Sequence, residues 1–473
     1  MATYPLNKEQ EFEAEIEDVL AFGGDGITRV DNWVVFVRDV LPGAKVKAKL
    51  IKRKRNFGEA IPVETLEASP WKTDWPCPHY PECGGCKFQD LAYEVQLENK
   101  REQVADLLER IGKFQEIEVK PTLGSEKIFH YRNKMEFSFG TDRWILEEDD
   151  PGTPEDFAFG LHAPGRWDKI LDLDICYLQS EVRNHIFADV KQYVLEHDYD
   201  LWDLREKTGY LRYLVMREGE HTGQVMLNFV TGKDDPDRLA PLVDILVEKY
   251  PQIHSVVNNV NTRVGESAVG ELEYLMYGED IILDRIGDLE FEISAGSFFQ
   301  TNTLQAEGLY EHIKQIADVQ PEDVVYDLYC GTGTIALYLA SGAQRVYGFE
   351  VNQETVENAV RNAYHNQIFN AQFERVDMNK HQEFHRKIKQ IEKPDVIVID
   401  PPRSGVHPKT LKELRQLHPE KYVYVSCNPS TLARDLKDLS DGTGYELATV
   451  QPVDMFPHTP HVEVVTKLER ISS

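Results

Sequence analysis

The pattern of apolar and polar positions changes character twice along the chain. Up to about Pro70 the apolar residues fall into short runs such as Trp33–Val37 and Lys45–Ile51, broken by Gly23–Gly24, Gly26 and Pro42–Gly43. Period-two alternation between glycine and proline punctuation predicts a small β domain. From residue 71 to about 290, helical and strand-like stretches mix, beginning with a predicted helix over Glu94–Ile111. The acidic stretch Glu147–Asp156, with Pro151, Gly152 and Pro154, reads as an exposed loop. From about 291 onward, VVYDLYC, QRVYGFEV, AQFERVDM, DVIVID and YVYVSC are short continuous apolar runs. Runs of that kind are buried on both faces of a parallel sheet. Helical segments at Thr334–Ser341 and Gln353–Asn366 separate them, so the last third predicts a doubly wound α/β domain. Three regions follow: 1–70, 71–290 and 291–473.

Composition narrows the class. The 473 residues carry 52 Lys+Arg against 81 Asp+Glu, a formal charge of −29. Bulk attraction to nucleic acid or to an anionic membrane is excluded on that total. One segment opposes it: KVKAKLIKRKRNF holds Lys45, Lys47, Lys49, Lys52, Arg53, Lys54 and Arg55. On a strand the first three share one face, which suggests either a phosphate-tracking surface or an edge guarded by lysines. Apolar residues at 41% suffice for an ordinary core. No apolar run approaches the roughly 20 residues of a spanning helix, and the N-terminal residues lack the features of a secretory signal. A cytoplasmic protein is expected.

The six cysteines are informative by position. Cys77, Cys83 and Cys86 stand at C-x5-C-x2-C spacing, with Gly84–Gly85 between the last two. Three close thiols and a distant fourth, Cys176, suit a [4Fe–4S] cluster better than zinc, which usually takes two close pairs. Zinc and inert thiols remain the alternatives.

The α/β region carries three further signals. DLYCGTG places Gly331 and Gly333 after the first strand, where such folds bind nucleotides, and it lacks the third glycine of a dinucleotide site. Glu350 ends the next strand, where a carboxylate can accept ribose hydroxyls. Asp377 ends the third, within reach of an adenine amino group; an ordinary strand-end cap is the alternative there. This acid placement fits S-adenosylmethionine. Cys427 ends the strand YVYVSC, where a following helix N-terminus would lower its pKa. Cys330, beside the glycine turn, reads as a small packing residue. Glu463, in a valine-rich strand, reads by itself as a surface position on an edge strand.

FQTN (Phe299–Asn302), DLYCGTG, DPPR (Asp400–Arg403), SCNP and HVE, in that order, resemble the RNA 5-methyluridine methyltransferases, specifically their iron–sulfur branch acting on 23S ribosomal RNA. The resemblance spans nearly the whole chain. It implies an N-terminal TRAM domain, an OB-like RNA-binding β-barrel; a central α+β domain with a [4Fe–4S] cluster on Cys77, Cys83, Cys86 and Cys176; and a C-terminal Rossmann-like methyltransferase domain. It also implies Cys427 as nucleophile and Glu463 as general base. Gln300 would lie between uracil and cofactor, Tyr329, Thr334, Glu350 and Asp377 at the cofactor, and Asp400 near the reacting groups. Arg132 and Lys134, in HYRNKMEF, are candidate RNA contacts, with surface solubility as the alternative. A monomer bound to RNA and to no membrane is expected. A transfer-RNA enzyme is disfavoured, because bacterial members of that branch lack the TRAM domain and cluster cysteines. A non-catalytic RNA-binding factor is disfavoured by the intact trio of Cys427, Gln300 and Glu463.

Overall fold

A computed structural model describes residues 4–471, apart from 264, 266 and 267 and the side chain of His381. Five strands form the N-terminal sheet: β1 (Glu11–Glu15), β2 (Gly26–Val30), β3 (Trp33–Val37), β4 (Lys45–Arg53) and β5 (Phe57–Glu67), in the order β1-β4-β5-β3-β2. The alternation in β4 does what it predicts. Val46, Ala48 and Leu50 point into a core with Ala14, Val35, Val37 and Ala60, and the lysines point out.

The outward lysines are not free. β1 runs antiparallel to β4 and sets Glu11, Glu13 and Glu15 opposite Lys49, Lys47 and Lys45. Lys45 pairs with Glu67 at 3.1 Å, Lys47 with Glu11 at 2.6 Å, Lys49 with Glu9 at 2.7 Å and Lys52 with Glu59 at 2.5 Å. Arg53 lies over the Tyr4 ring at 4.4 Å. The expected cationic stripe is therefore a row of ion pairs, because neighbouring strands supply a glutamate to each of these lysines. Arg53, together with Lys54 and Arg55 exposed at the β4–β5 turn, has no acidic partner among the described residues.

The next segment holds α1 (Tyr93–Leu107) and then a seven-stranded sheet. Its strands are β6 (Lys134–Gly140), β7 (Ala158–His162), β8 (Ile170–Asp172), β9 (Leu211–Glu218), β10 (Val225–Thr231), β11 (Ile253–Val260) and β12 (Leu272–Gly278), with α2 (Glu181–Glu196) and α3 (Ala240–Lys249). The core between sheet and helices stacks aromatic rings, with Phe159 against Phe139 at 4.0 Å and against Phe187 at 4.2 Å. A hairpin, β13 (Ile281–Ile286) and β14 (Leu289–Ser294), leads into the last region.

That region begins with α4 (Thr303–Ala317), β15 (Val324–Leu328), α5 (Thr334–Ala340), β16 (Arg345–Glu350), α6 (Gln353–His365) and β17 (Ala371–Arg375). It continues with α7 (His381–Ile388), β18 (Val396–Ile399), α8 (Pro408–Leu417), β19 (Lys421–Ser426), α9 (Pro429–Ser440), β20 (Tyr445–Val453) and β21 (Glu463–Arg470). The sheet order is β17-β16-β15-β18-β19-β21-β20, parallel except for β21, which is antiparallel to both of its neighbours. Strand order reverses at β15, which opens a crevice at the carboxyl ends of β15 and β18.

Two features depart from the linear reading. Helix α1, grouped by sequence with the central region, packs on the C-terminal sheet, with Val104 in the core beside Leu432 and Leu436 of α9. Glu463 was expected on an edge strand, but β21 lies between β19 and β20 and the residue is 9% exposed.

Candidate active site

The glycine turn is built for a close approach. After β15 the backbone passes through positive φ at Tyr329 (64°), Gly331 (55°) and Gly333 (81°) before α5 begins. A Cβ at Gly333 would meet the Phe373 ring at 2.7 Å, so only glycine fits there. Asp327, fully buried on β15, accepts the Ala336 N–H at 2.9 Å and pins α5 to the strand. Cys330 is buried against Gly348, in agreement with a packing role.

A cavity of about 430 Å³ opens at this crevice. Gln300, Tyr329, Thr334, Asp400, Cys427 and Glu463 all line it; the glycine turn delivers Tyr329 and Thr334, and four other segments deliver the rest. Gln300 precedes α4, whose N-cap Asn302 also bonds Met455 O at 3.2 Å. Its own carbonyl accepts Asn133 Nδ2 at 2.7 Å. Thr334 shares a 3.1 Å hydrogen bond with the Tyr310 hydroxyl. Cys427 follows β19 and precedes Asn428, the N-cap of α9, while Asp400 follows β18 and donates its N–H to Leu328 O at 3.2 Å. Arg132, just before β6, reaches the same cavity, and Lys134 lines an adjoining pocket with it.

Glu350 and Asp377 stand outside this lining. Glu350 ends β16 and accepts the Val351 and Asn352 N–H groups at 2.7 and 2.9 Å. Asp377 lies just past β17 and accepts the Asn379 N–H at 3.0 Å. Both face the carboxyl end of the sheet, on the β16–β17 side of the glycine turn.

The electrostatics correct one expectation. A helix N-terminus does follow Cys427, yet burial and the facing Glu463 carboxylate push its thiol up; Arg403 opposes them. Burial also raises Glu463 well above the usual carboxylate range, with Asp400 adding repulsion and Arg403 subtracting it. Burial alone raises Asp400 to about 7. Arg403 is thus the cation shared by Cys427 and Glu463, a role its position in DPPR did not reveal. Phe456 and Tyr310 are further lining residues that sequence reasoning passed over, since neither sits in a recognisable motif.

The lower rim is tied to the rest of the molecule by a buried network. Lys100 of α1 pairs with Asp454 at 2.5 Å, and Asp454 also accepts the Tyr93 hydroxyl at 2.8 Å. Lys87 and Phe88 N–H groups both donate to His458 O, at 2.8 and 3.1 Å. The segment after the cysteine motif therefore braces the loop that leads to Glu463.

Cys77, Cys83, Cys86 and Cys176 line one small, largely apolar pocket with Leu161, Leu173 and Leu178. Burial pushes the Cys83 and Cys86 thiols up to about 12. Among the described residues, no group of three or more His, Cys, Asp or Glu side chains is arranged to hold a metal ion.

A reversed strand order with a glycine turn after its first strand and an antiparallel seventh strand defines the class of Rossmann-like methyltransferases. Residues 275–471 match the tRNA (uracil-5-)-methyltransferase family, and residues 5–63 match the TRAM domain. An uncharacterized RNA methyltransferase of Chlorobaculum tepidum is 43% identical over 92% of this chain and 91% of its own. A second, from Halalkalibacterium halodurans, is 39% identical over 98% of each. Among solved structures, the Pyrococcus abyssi tRNA (uracil-54, C5)-methyltransferase in complex with S-adenosyl-L-homocysteine has a TM-score of 0.74 and 30% identity, covering 97% of this chain and 100% of its own. The chain belongs to the RNA 5-methyluridine (uracil-C5) methyltransferase family and is an S-adenosylmethionine-dependent enzyme. No helix among the described residues is long and apolar enough to cross a membrane.

Proposed function

We propose that the protein methylates C5 of one uridine in 23S ribosomal RNA through a covalent adduct on Cys427. The supporting observation is the convergence of Cys427, Glu463 and Arg403 on one cavity. Uracil C5 is too weakly nucleophilic to take a methyl group unaided. The Cys427 thiolate adds to C6, which turns C5 into an enolate carbon able to attack an electrophile. Bound S-adenosylmethionine supplies that electrophile, its sulfonium methyl. Glu463 then removes the C5 proton, and the electron pair released re-forms the C5–C6 double bond as the thiolate leaves. Arg403 holds both anions while this happens. The target base must be flipped out of its stack to reach the cavity; Arg132, which lines it, and Lys134, in the adjoining pocket, would meet the RNA backbone.

The cofactor residues suit that group. The Tyr329 hydroxyl lines the cavity, buried and without a partner among the described residues, and Gly331 leaves open space beside it. Glu350 and Asp377 would take the ribose and adenine. The four cysteines fit a [4Fe–4S] cluster: each thiolate would bind its own iron, so they need not converge on a point. The apolar wall and the Gly85 N–H on Cys83 Sγ at 3.4 Å suit an inorganic sulfide core. Iron and acid-labile sulfide in anaerobically purified protein support this assignment; stoichiometric zinc refutes it.

A second reading is transfer RNA, favoured by the Pyrococcus neighbour, which matches this chain over its full length. The TRAM domain therefore does not by itself separate the two targets. Mass-spectrometric mapping of 5-methyluridine in both RNAs, from cells with and without the gene, decides between them. Cys427→Ala should abolish transfer while keeping cofactor binding, and Glu463→Gln should accumulate a methylated protein–RNA adduct.

A further inference from the structure

A second cavity, of about 650 Å³, lies away from the active site, between the N-terminal barrel and α1. Its walls come from the β1–β2 loop, from β2 and β3, from the β4–β5 turn and from α1. Five-stranded barrels of this Greek-key type bind oligonucleotides on the face of their second and third strands and on the loops that join strands 1–2 and 4–5. The cavity occupies those same segments.

Its lining is aromatic in part, with Phe22, Phe36 and Phe57, and carries the acceptors of Glu102 and Gln103. Phe36 and Phe57 meet edge to face at 5.6 Å, and Phe22 on the β1–β2 loop is 41% exposed. Gln103 of α1 is 5% exposed, and its amide nitrogen donates to Leu20 O at 3.1 Å and Ala21 O at 3.4 Å. That fixes the amide, and its carbonyl Oε1 is left buried with no partner among the described residues. A buried acceptor of that kind costs stability unless a ligand or water supplies a donor. Glu102, one residue earlier, makes no ion pair among the described residues. The two cations in the lining are already engaged, Arg29 by Glu17 at 2.9 Å and Arg110 by Asp106 at 2.7 Å. Lys54 and Arg55, two cations of the basic segment with no ion pair among the described residues, adjoin the lining residues Asn56 and Phe57 on the turn.

An aromatic wall, the unpartnered Gln103 Oε1 beside the Glu102 carboxyl, and flanking cations call for a planar ligand that has a donor edge and an attached phosphate. We propose that this cavity holds an unpaired guanosine of the RNA substrate, its base against Phe22 and Phe57 and its N1–H and N2 amino group on Glu102 and Gln103. Among the four bases only guanine offers two adjacent donors on its pairing edge. Uracil would turn two carbonyls toward a carboxylate. Lys54 and Arg55 then take the flanking phosphates, as single-strand-binding grooves do. The site adds a second, base-specific grip remote from the methylated uridine, so register on the RNA is set before the target base is flipped.

The inference rests on the RNA-substrate reading, and the test separates the two. Fluorescence anisotropy with the full chain would compare labelled UUGUU, UUUUU and an inosine analogue of the first, beside intact ribosomal and transfer RNA transcripts. Expected is a preference of about tenfold or more for UUGUU over UUUUU, with inosine intermediate because it lacks the N2 amino group. Phe22→Ala and Glu102→Gln should erase that preference while leaving melting temperature and S-adenosylmethionine binding unchanged. Equal binding of the pentamers by the unaltered protein overturns the guanosine site even if the transcripts bind tightly. A preference that survives both substitutions places guanine recognition elsewhere and overturns it as well. Binding to none of the RNAs instead overturns the substrate reading on which it stands.

Discussion

Replacing Asp400 by Asn tests the electrostatics of the cavity directly. Burial raises the Asp400 carboxyl to about 7 from an ordinary 3.8, with no compensating cation among its causes. The folded protein therefore holds a proton that the unfolded chain has lost between those two values, and stability falls as pH rises through that window. At about 1.36 kcal/mol per unit, the penalty approaches about 4 kcal/mol at pH above 7 and vanishes below the unfolded value. Asn keeps the shape and removes the titration. The cofactor-free variant should gain little over the parent near pH 4, and about 3 kcal/mol more at pH 8 than at pH 5. For a unit the size of the C-terminal domain, that difference corresponds to a melting shift of roughly 10 °C. The assay is a series of thermal melts of both proteins between pH 4 and 9 in one buffer system. A gap that stays constant with pH, or narrows toward alkaline pH, would show that Asp400 is ionised and solvated in the folded state, and the reasoning would fail.

Three other outcomes follow from the same geometry. The acid limb of kcat/KM should extend past neutral pH, because burial holds Cys427 and Glu463 both protonated, helped by Glu463 at Cys427 and by Asp400 at Glu463. Arg403→Ala should push that limb to still higher pH; an unmoved limb would mean that Arg403 does not face these groups. Lys100→Met strands the buried Asp454 carboxylate and should cost about 3–5 kcal/mol in urea unfolding. Adding Asp454→Leu should recover part of that loss, whereas additive losses would refute the pairing. Finally, Lys54→Ala with Arg55→Ala should weaken RNA binding and flatten its log–log salt dependence by about 1.4. Replacing Lys45, Lys47 and Lys49 should change that slope far less, since each is already held by a glutamate.

What was legible in the sequence is what depends on neighbours along the chain. Period-two alternation placed Val46, Ala48 and Leu50 inside β4, and continuous apolar runs placed the five parallel strands of the C-terminal sheet. Short motifs carried DLYCGTG, DPPR and SCNP to the family, because tight turns and strand ends demand particular residues at fixed spacing. Tertiary structure decided everything that depends on which strands and loops meet. Glu9, Glu11, Glu59 and Glu67 neutralise the lysine row only because β1 and β5 flank β4. Glu463 lies in the interior because β21 inserts between β19 and β20, a pairing that a strand's own alternation does not encode. The Cys427 thiol is pushed up by burial first and then by the facing Glu463, which comes from a segment 36 positions away in the sequence. Charge and alternation are local properties of a chain; dielectric and pairing belong to the assembled fold.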